Sequence, residues 1–285
     1  MLPSIRLPPV TERSSLPEVQ PMLPQAMQAA SDLLWDYWLS GRQLTQGLPD
    51  DIRPQTRQQG YAIQALLERR TRAPLFGWKI AATSQAGQRH IGVDGPMAGR
   101  ILAERVFAAD TEVPFGANFM RVAEAEFAFR MKRGLAVRDA RYSIDEVCDA
   151  VEALYPAIEI PDSRYQNFAA AGAPQLIADS ACAHYFVLGP PTSTNWRCMD
   201  LGEHKVVGSV NGRLEHTGSG ASVLGDPRIA LTWLANELVQ VGSPLQAGQV
   251  VTTGTCTVPL PVAPGDEVVN DMGILGRVSF RFGSL

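Results

Sequence analysis

Two glutamates that lie one residue apart are the first feature of this sequence that could do chemistry. The stretch VAEAEFAFRM, residues 122–131, has the composition of a buried strand. Side chains at positions i and i+2 of a strand share a face, so Glu124 and Glu126 lie side by side, about 7 Å apart. Ala125, Phe127 and Phe129 form the opposite, apolar face. Such a pair of like charges needs either solvent or a cation.

A third glutamate has similar surroundings. Glu159 is flanked by two isoleucines in a β-like run that ends at Pro161. Unpaired carboxylates that are buried together cost several kcal/mol each unless a cation compensates them. Ligands that are all oxygen suit Mg²⁺ or Mn²⁺. The sequence therefore predicts a magnesium or manganese site at Glu124, Glu126 and Glu159 if the strands converge, and an ordinary solvated strand face if they do not.

Lysine is rare in this chain, so the place of each lysine is informative. Of 25 basic residues only Lys79, Lys132 and Lys205 are lysines. Lys79 lies in an apolar segment, FGWKIAATS, and the pKa of a lysine shifts readily when the side chain is buried. A lysine whose pKa is lowered by burial is a candidate for proton transfer or for pairing with a substrate carboxylate.

Small residues at 252–256, TTGTC, offer hydroxyl and backbone N–H groups that suit a carboxylate, although an ordinary turn at a strand end has the same composition. We predict substrate contacts from Gly254 and Thr255. Cys256 has no histidine that the sequence places beside it as a base. His90, in a polar loop near Lys79, is either a lid residue or a solvent-exposed histidine.

Several common site motifs are absent or misplaced. TGSGASVLG, residues 217–225, contains GxG, but its next glycine, Gly225, comes too late for a dinucleotide fingerprint and the stretch follows a hairpin. Neither a phosphate-binding GxxxxGK[ST] loop nor a GxSxG nucleophile elbow occurs. The four histidines form no HxH or HExxH pattern and the four cysteines form no CxxC pair, which argues against a zinc site.

The charge, hydrophobicity and cysteine spacing of the whole chain limit which partners and which cellular compartment are expected. Its net charge is −4 with no basic stripe, so a nucleic-acid partner has no electrostatic support. No run of about 18 apolar residues indicates a membrane span, and widely spaced cysteines indicate reduced thiols in the cytoplasm. Residues 1–23 are proline-rich and are predicted to form an extended arm. A helical section at 24–75 and a β-rich catalytic domain at 76–285 are predicted to follow.

Hydrophobic periodicity predicts an α+β fold, with a mixed or antiparallel β core and helices at one end and in the connections. Asp226 and Pro227 mark the start of the last helix, and Asn211-Gly212 marks a hairpin turn. Helices are predicted at 24–40, 54–70, 143–155 and 226–242, strands at 78–83, 122–131, 157–165 and 184–189, a hairpin at 205–216, a polar loop at 84–100, and alternation of Val278, Phe280 and Phe282 with polar residues near the C-terminus.

The chain resembles a family of 2-keto-4-pentenoate hydratases, 2-oxohepta-3-ene-1,7-dioate hydratases and 4-oxalocrotonate decarboxylases within the fumarylacetoacetate hydrolase superfamily. The matching pieces follow one another from about residue 25 to the C-terminus. They are GWKIAATS, IGVDGPMAGRI, AEAEFAF, ALYPAIEIPDSRY, IADSACAHYFVLG, NGRLEHTGSGASVLGDPRIALTWLANEL and GQVVTTGTCTVPLPVAPGD.

The resemblance implies a mixed β-roll or sandwich core of the fumarylacetoacetate hydrolase C-terminal type, a homo-oligomer, and a metal held by Glu124, Glu126 and Glu159. It places Lys79 over the substrate and suggests Ser180 as a further substrate contact.

One motif departs from the family pattern. Hydratases of this family often carry a second acid shortly after the GVD sequence, but in GVDGPMAG that place is taken by Met97. Asp94 is then the only acid of the motif and is assigned a catalytic role. If the second acid orients water, its loss weakens the case for hydration.

The expected activity is therefore metal-assisted chemistry on a small 2-oxo acid or its dienol. We expect hydration of a 2-hydroxy-2,4-dienoate to a 4-hydroxy-2-oxo acid, as in meta-cleavage catabolism of aromatic compounds. Decarboxylation of the 4-oxalocrotonate type uses the same first steps. A C–C hydrolase of the acylpyruvate type needs a base, for which His90 is the candidate, and a non-catalytic binding scaffold is the remaining alternative.

Overall fold

Local sequence signals set the ends of the helices in the computed structural model, which describes residues 21–284. Gly41 ends the first helix with a left-handed φ of 61°, and Thr56 starts the second through a capping box with Gln59. Asp226 caps the last helix, as predicted. In this part of the chain no helix is both long and apolar enough to cross a membrane. The α-helices described are α1 (Pro24–Ser40), α2 (Arg57–Ala65), α3 (Gln85–His90), α4 (Ile144–Asp149), α5 (Ala173–Ala178) and α6 (Pro227–Gln240).

The strands of the described residues form two sheets. They are β1 (Gly77–Ala81), β2 (Met97–Ile101), β3 (Val106–Ala108), β4 (Glu112–Val113), β5 (Val122–Met131), β6 (Val151–Ile160), β7 (Tyr185–Leu188), β8 (Lys205–Val210), β9 (Leu214–Ser219), β10 (Val250–Thr255), β11 (Leu260–Pro261), β12 (Glu267–Asp271) and β13 (Arg277–Phe282). The larger sheet has the order β2-β1-β10-β5-β6-β7-β3, with β11 also paired to β5, and the smaller has the order β4-β13-β12-β8-β9. The larger sheet is mixed, because β1 runs parallel to β10 and β3 parallel to β7 while its other pairs are antiparallel.

The two sheets pack through an apolar layer and one buried polar link. Ile158 and Val187 of the larger sheet share a cluster with Val268 and Phe280 of the smaller one. Within this contact Asn270 of β12 donates from Nδ2 to the backbone carbonyls of Glu126, at 3.2 Å, and Ala157, at 2.8 Å. A single amide thereby ties β12 to both central strands of the larger sheet.

The N-terminal helices share their core with the larger sheet. Leu34 of α1 and Ile63 of α2 belong to the same buried cluster as Trp78 of β1 and Phe127 of β5. The division into a helical section at 24–75 and a β domain at 76–285 stays a prediction. All but the last three residues of the predicted arm, 1–23, lie outside the described residues.

The segment at 84–100 was predicted as a loop, and this is wrong at both ends. Ser84 caps α3 by accepting a hydrogen bond from the N–H of Gly87, and residues 97–101 form β2 along the edge of β1. Glycine and proline in this stretch are typical of loops, so the sequence does not indicate a strand here. Gly99 is required because a Cβ there would lie 2.0 Å from the carbonyl oxygen of Ser180.

The helix predicted at 143–155 is also too long. Its capping box between Ser143 and Glu146 is present, but α4 ends at Asp149 and β6 begins at Val151. The residues after that point favour a helix locally but form a strand in the middle of the sheet. Burial between β5 and β7 outweighs their helix propensity. Pro156 is tolerated since it lies beyond the last ladder pair of β6 with β7, Ala157 with Leu188.

We predict that Asn270→Asp destabilises the protein by about 2–4 kcal/mol, because it removes two buried hydrogen bonds and places a carboxylate against two carbonyl oxygens. Urea unfolding followed by circular dichroism measures the change. Asn167→Asp, at an exposed position, is the matched control and should stay within about 0.5 kcal/mol of wild type. Equal stability of the two variants would contradict a structural role for the Asn270 amide.

Candidate metal centre

Strand pairing brings the three predicted glutamates together. Glu124 of β5 lies directly opposite Glu159 of β6 in the antiparallel register, and Glu126 is two residues further along the same face. One carboxylate oxygen from each lies within 4.8 Å of the others. Glu126 and Glu159 are each only 1% exposed. The alternative of a solvated strand face is therefore wrong for these two side chains.

A β-bulge in the neighbouring strand supports Glu126. Between Thr252 and Thr255 the register of β10 against β5 shifts by one residue. Gly254 occupies the bulge with φ of +108°, and its backbone N–H donates to Glu126 Oε2 at 2.9 Å. The Thr252 hydroxyl donates to the same oxygen. The TTGTC segment thus binds a carboxylate, but the carboxylate belongs to the protein.

The remaining carboxylate oxygens fit a cation. Glu126 Oε1 and Glu159 Oε1 are buried and have no hydrogen-bond partner among the described residues. Burial, reinforced by the charge of Glu124, raises the pKa of Glu126 to about 8. Burial likewise raises the pKa of Glu159 well above its usual value, against the opposing effect of Lys79. A divalent cation would satisfy these orphaned oxygens and favour the ionised carboxylates.

Lys79 is buried beside the glutamates. From β1 its Nζ lies 3.2 Å from Glu159 Oε2 and donates to the carbonyl of Ala181 at 3.0 Å. Burial alone would lower the pKa of Lys79, but the nearby glutamates, Glu159 foremost, outweigh it and raise the pKa above its ordinary value. The expected lowering of this pKa is wrong, because a burial argument made from one segment leaves out charges brought in by other strands.

All three predicted substrate contacts have partners within the protein. The Ser180 hydroxyl accepts from the N–H of Arg100 at 2.8 Å and donates to its carbonyl at 3.1 Å. The Thr255 hydroxyl donates to the carbonyl of Thr257 at 2.9 Å. The N–H of Gly254, the third, is directed at Glu126. Direct contact of these residues with a substrate stays a prediction.

The other candidates lie further out. The side chain of Asp94 is 87% exposed and faces Arg57 Nη1 at 3.4 Å. His90, at the end of α3, is exposed and stacks edge-on against Phe168 with 6.2 Å between ring centres. Met97 is buried in β2 and pairs with Ala81, so it shares the sheet face of Lys79. Catalytic and lid roles for Asp94 and His90 stay predictions.

A cavity of about 440 Å³ opens beside Thr83, which lies just after β1. The Thr83 side chain packs against Gly254, because a Cβ on Gly254 would lie 2.2 Å from Thr83 Oγ1. Since the N–H of Gly254 donates to Glu126, the cavity adjoins the backbone that supports this glutamate. The N–H of Leu224 donates to the carbonyl of Thr83 at 3.1 Å and brings the segment before α6 over the same opening. The lining residues, all uncharged, are Thr83, Ser84, Gln85, Gln88, Ala221, Ser222, Leu224 and Gly225.

Thr83, Thr252 and Ala181 were missed as parts of the site. The small residues in TTGTC were a usable signal for Thr252, since they indicated a carboxylate partner. Nothing local marks Ala181, because its contribution is a backbone carbonyl aimed by the surrounding fold.

Comparison with known proteins agrees with this geometry. Residues 103–282 match the family model of the fumarylacetoacetate (FAA) hydrolase C-terminal domain. The chain belongs to this family. It is 30% identical to a 2-keto-4-pentenoate hydratase of Paraburkholderia xenovorans, over 92% of this chain and 97% of the relative. It is 32% identical to a 4-oxalocrotonate decarboxylase of Pseudomonas sp. strain CF600, over 82% and 88%.

Among solved structures, the 4-oxalocrotonate decarboxylase of Pseudomonas putida G7, complexed with magnesium and adipate, superposes with a TM-score of 0.83 and 28% identity. The match covers 93% of this chain and all of that one. The predicted resemblance and the predicted α+β fold of the fumarylacetoacetate hydrolase type are confirmed.

We predict that Glu126→Gln weakens Mn²⁺ binding at least about 10-fold, because it removes one anionic ligand while its amide oxygen can still accept from Gly254. Isothermal titration measures the affinity. The same concentration of Mn²⁺ should raise the melting temperature of the variant less than that of wild type.

Glu152→Gln is the matched control, since Glu152 is exposed on the same strand as Glu159. Its Mn²⁺ affinity should equal that of wild type. Unchanged affinity in Glu126→Gln would instead show that the three carboxylates do not form the metal site.

Proposed function

We propose that this protein is a divalent-metal-dependent hydratase that adds water to a 2-hydroxy-2,4-dienoate and yields a 4-hydroxy-2-oxo acid. The observation that carries the proposal is the convergence of two buried carboxylates, one half-buried carboxylate and one lysine on a single sheet face. The relatives that it matches over most of its length include enzymes named as hydratases of 2-keto-4-pentenoate. Such a reaction belongs to meta-cleavage catabolism of aromatic compounds.

Glu124, Glu126 and Glu159 would hold the metal. When bound, Mg²⁺ or Mn²⁺ would act as a Lewis acid toward the carboxylate and 2-oxo oxygens of the substrate. Magnesium is supported by the ion in the superposed decarboxylase and by the all-oxygen ligand set. Thr252 and Gly254 orient Glu126 through its other oxygen, which leaves Oε1 directed away from the bulge.

Lys79 would act as an ammonium rather than as a base, since its Nζ is ion-paired with Glu159 and donates to the carbonyl of Ala181. Two contacts of Nζ are occupied, by Ala181 and Glu159, and an ammonium has three N–H donors. The third can bind the substrate carboxylate or deliver the proton that the dienol takes up at carbon as it ketonises.

The uncharged cavity favours a substrate whose tail carries no charge. Neither Lys nor Arg is among the residues that line it, and its polar groups are hydroxyls and amides. A carboxylate at the far end of a substrate gains most from an arginine or lysine partner. We therefore place the short tail of a monocarboxylic dienoate here, which favours the hydratase over an enzyme that accepts 4-oxalocrotonate, a dicarboxylate.

A 4-oxalocrotonate-type decarboxylase is the second candidate, and Met97 is the observation that favours it. This residue occupies the place of an acid in the family pattern and lies on the same sheet face as Lys79. Loss of CO₂ requires no group that orients water, whereas hydration does. The C–C hydrolase gains less support, because its candidate base, His90, is exposed at the end of α3.

We further propose that the enzyme works in the cytoplasm as a homo-oligomer. All four cysteines are free thiols, in agreement with a reducing compartment. The uncharged cavity and the acidic centre offer nothing to a nucleic acid, so the proposed partner of the site is a small 2-oxo acid.

The deciding experiment is a spectrophotometric assay of purified protein with 2-hydroxypenta-2,4-dienoate, in Mg²⁺, in Mn²⁺ and in EDTA. We expect metal-dependent loss of dienol absorbance, with 4-hydroxy-2-oxopentanoate identified by mass spectrometry. Turnover of 4-oxalocrotonate with release of CO₂, and none of the dienoate, would overturn the hydratase in favour of the decarboxylase.

We predict that Lys79→Met lowers kcat by about 100-fold or more, as expected for loss of a positioned proton donor, while Mn²⁺ affinity falls by less than about 10-fold. Lys205→Met, at an exposed position on β8, should keep wild-type kcat. Equal activity of the two variants would remove Lys79 from the proposed chemistry.

A further inference from the structure

Three consecutive residues beside Lys79 have a left-handed backbone. Ser180, Ala181 and Cys182 have φ of 53°, 50° and 63°, and none of them is a glycine or an asparagine. L residues avoid this conformation because the Cβ approaches the following carbonyl oxygen. A run of such residues persists only where the surroundings enforce it, and such runs cluster at functional sites.

A buried ion pair encloses this segment. Arg164 Nε bonds Asp179 Oδ1, and the two side chains are 4% and 1% exposed. The other oxygen of Asp179 accepts from the Ser163 hydroxyl at 2.9 Å and from the N–H of Arg164 at 3.0 Å. Arg164 also donates to the carbonyl of Asp179, just before the left-handed run, and from Nη1 to the carbonyl of Ala183, just after it, at 3.0 Å.

Strand β2 fixes the same segment from the opposite side. The Ser180 hydroxyl exchanges two hydrogen bonds with the backbone of Arg100. Gly99 leaves space for the carbonyl of Ser180, which a Cβ would approach to 2.0 Å. The left-handed run is therefore held at both ends and against an edge strand.

The consequence is the direction of one carbonyl group. With the run in this conformation the Ala181 oxygen lies 3.0 Å from Lys79 Nζ. The same Nζ lies 3.2 Å from Glu159 Oε2. A negative φ at Ala181 would turn the peptide and move this acceptor. The ammonium would then keep only the glutamate as a fixed partner.

We propose that Arg164 and Asp179 are positioning residues that act through Ala181 on Lys79. Their ion pair holds the left-handed segment, the segment aims the Ala181 carbonyl, and the carbonyl fixes the ammonium so that its remaining N–H donor is directed at the substrate. A buried ion pair is by itself a weak source of stability, which agrees with a role in geometry. The catalytic consequence rests on the role proposed above for Lys79.

A double-mutant cycle with Asp179→Asn and Lys79→Met tests the coupling. Asp179→Asn should lower kcat by about 10–100-fold and keep Mn²⁺ affinity within about 3-fold of wild type. In the Lys79→Met background it should lower kcat no further, because the effects of residues that act through one another are not additive. The proposal would be overturned if the double variant lost kcat by the product of the two single fold-losses, or if Asp179→Asn alone left kcat unchanged.

Loss of stability is separated from loss of geometry by a control. Glu146→Ala removes both the ion pair with Arg138 and the side chain that closes the capping box of α4, which lie at the surface, so it should lower the melting temperature and leave kcat unchanged. Should Asp179→Asn fail to fold, Ser163→Ala removes one bond to Asp179 and should lower kcat by about 3–10-fold, again only when Lys79 is present.

The geometry can also be read without any turnover. In a crystal structure of Asp179→Asn, or of Ser163→Ala if the first variant does not fold, we expect Ala181 to leave the left-handed region and its oxygen to lie more than about 3.5 Å from Nζ, beyond hydrogen-bond distance. An unmoved Ala181 carbonyl would overturn the positioning role even if the dienoate proved not to be the substrate. Failure of the assay with wild type, in contrast, bears on the proposed function alone.

Discussion

Repulsion among three carboxylates on one buried sheet face is the constraint on which the rest of this structure depends. Cross-strand pairing sets Glu124 against Glu159, and the period of two along β5 adds Glu126. Carboxylates placed so close in a low-dielectric interior either bind protons or need cations. The bulge in β10, the Thr252 hydroxyl and Lys79 each compensate part of the charge.

The compensation is incomplete in a way that suits the proposed chemistry. Three ionised glutamates and one ammonium leave an excess of two negative charges. One divalent cation would balance this excess. Two glutamate oxygens are left without partners among the described residues, although the opposite oxygen of Glu126 accepts two hydrogen bonds. The protein thus uses one side of Glu126 to orient the ligand and leaves the other side for the ion.

The site has two parts, one on the central strands and one on the connecting segments. The glutamates and Lys79 stand on central strands that also form the apolar core, and Asn270 ties two of these strands to the second sheet. The uncharged cavity lies instead between α3 and the segment before α6. Connecting segments vary more readily than buried strands, so the proposed pocket for the substrate tail lies on the more variable part of the site.

The sequence by itself determined which residues are candidates for the chemistry. Alternation in VAEAEFAFRM placed two glutamates on one face, and a lysine in an apolar run and a glutamate between isoleucines supplied the rest, because side-chain type and strand period are local properties. The cap at Asp226 likewise predicted where the last helix begins.

Tertiary structure alone decided that Glu124 faces Glu159, that the pKa of Lys79 rises instead of falling, and that residues 151–156 form a strand. These outcomes depend on pairing between segments far apart in the chain, where burial and neighbouring charge outweigh local preference.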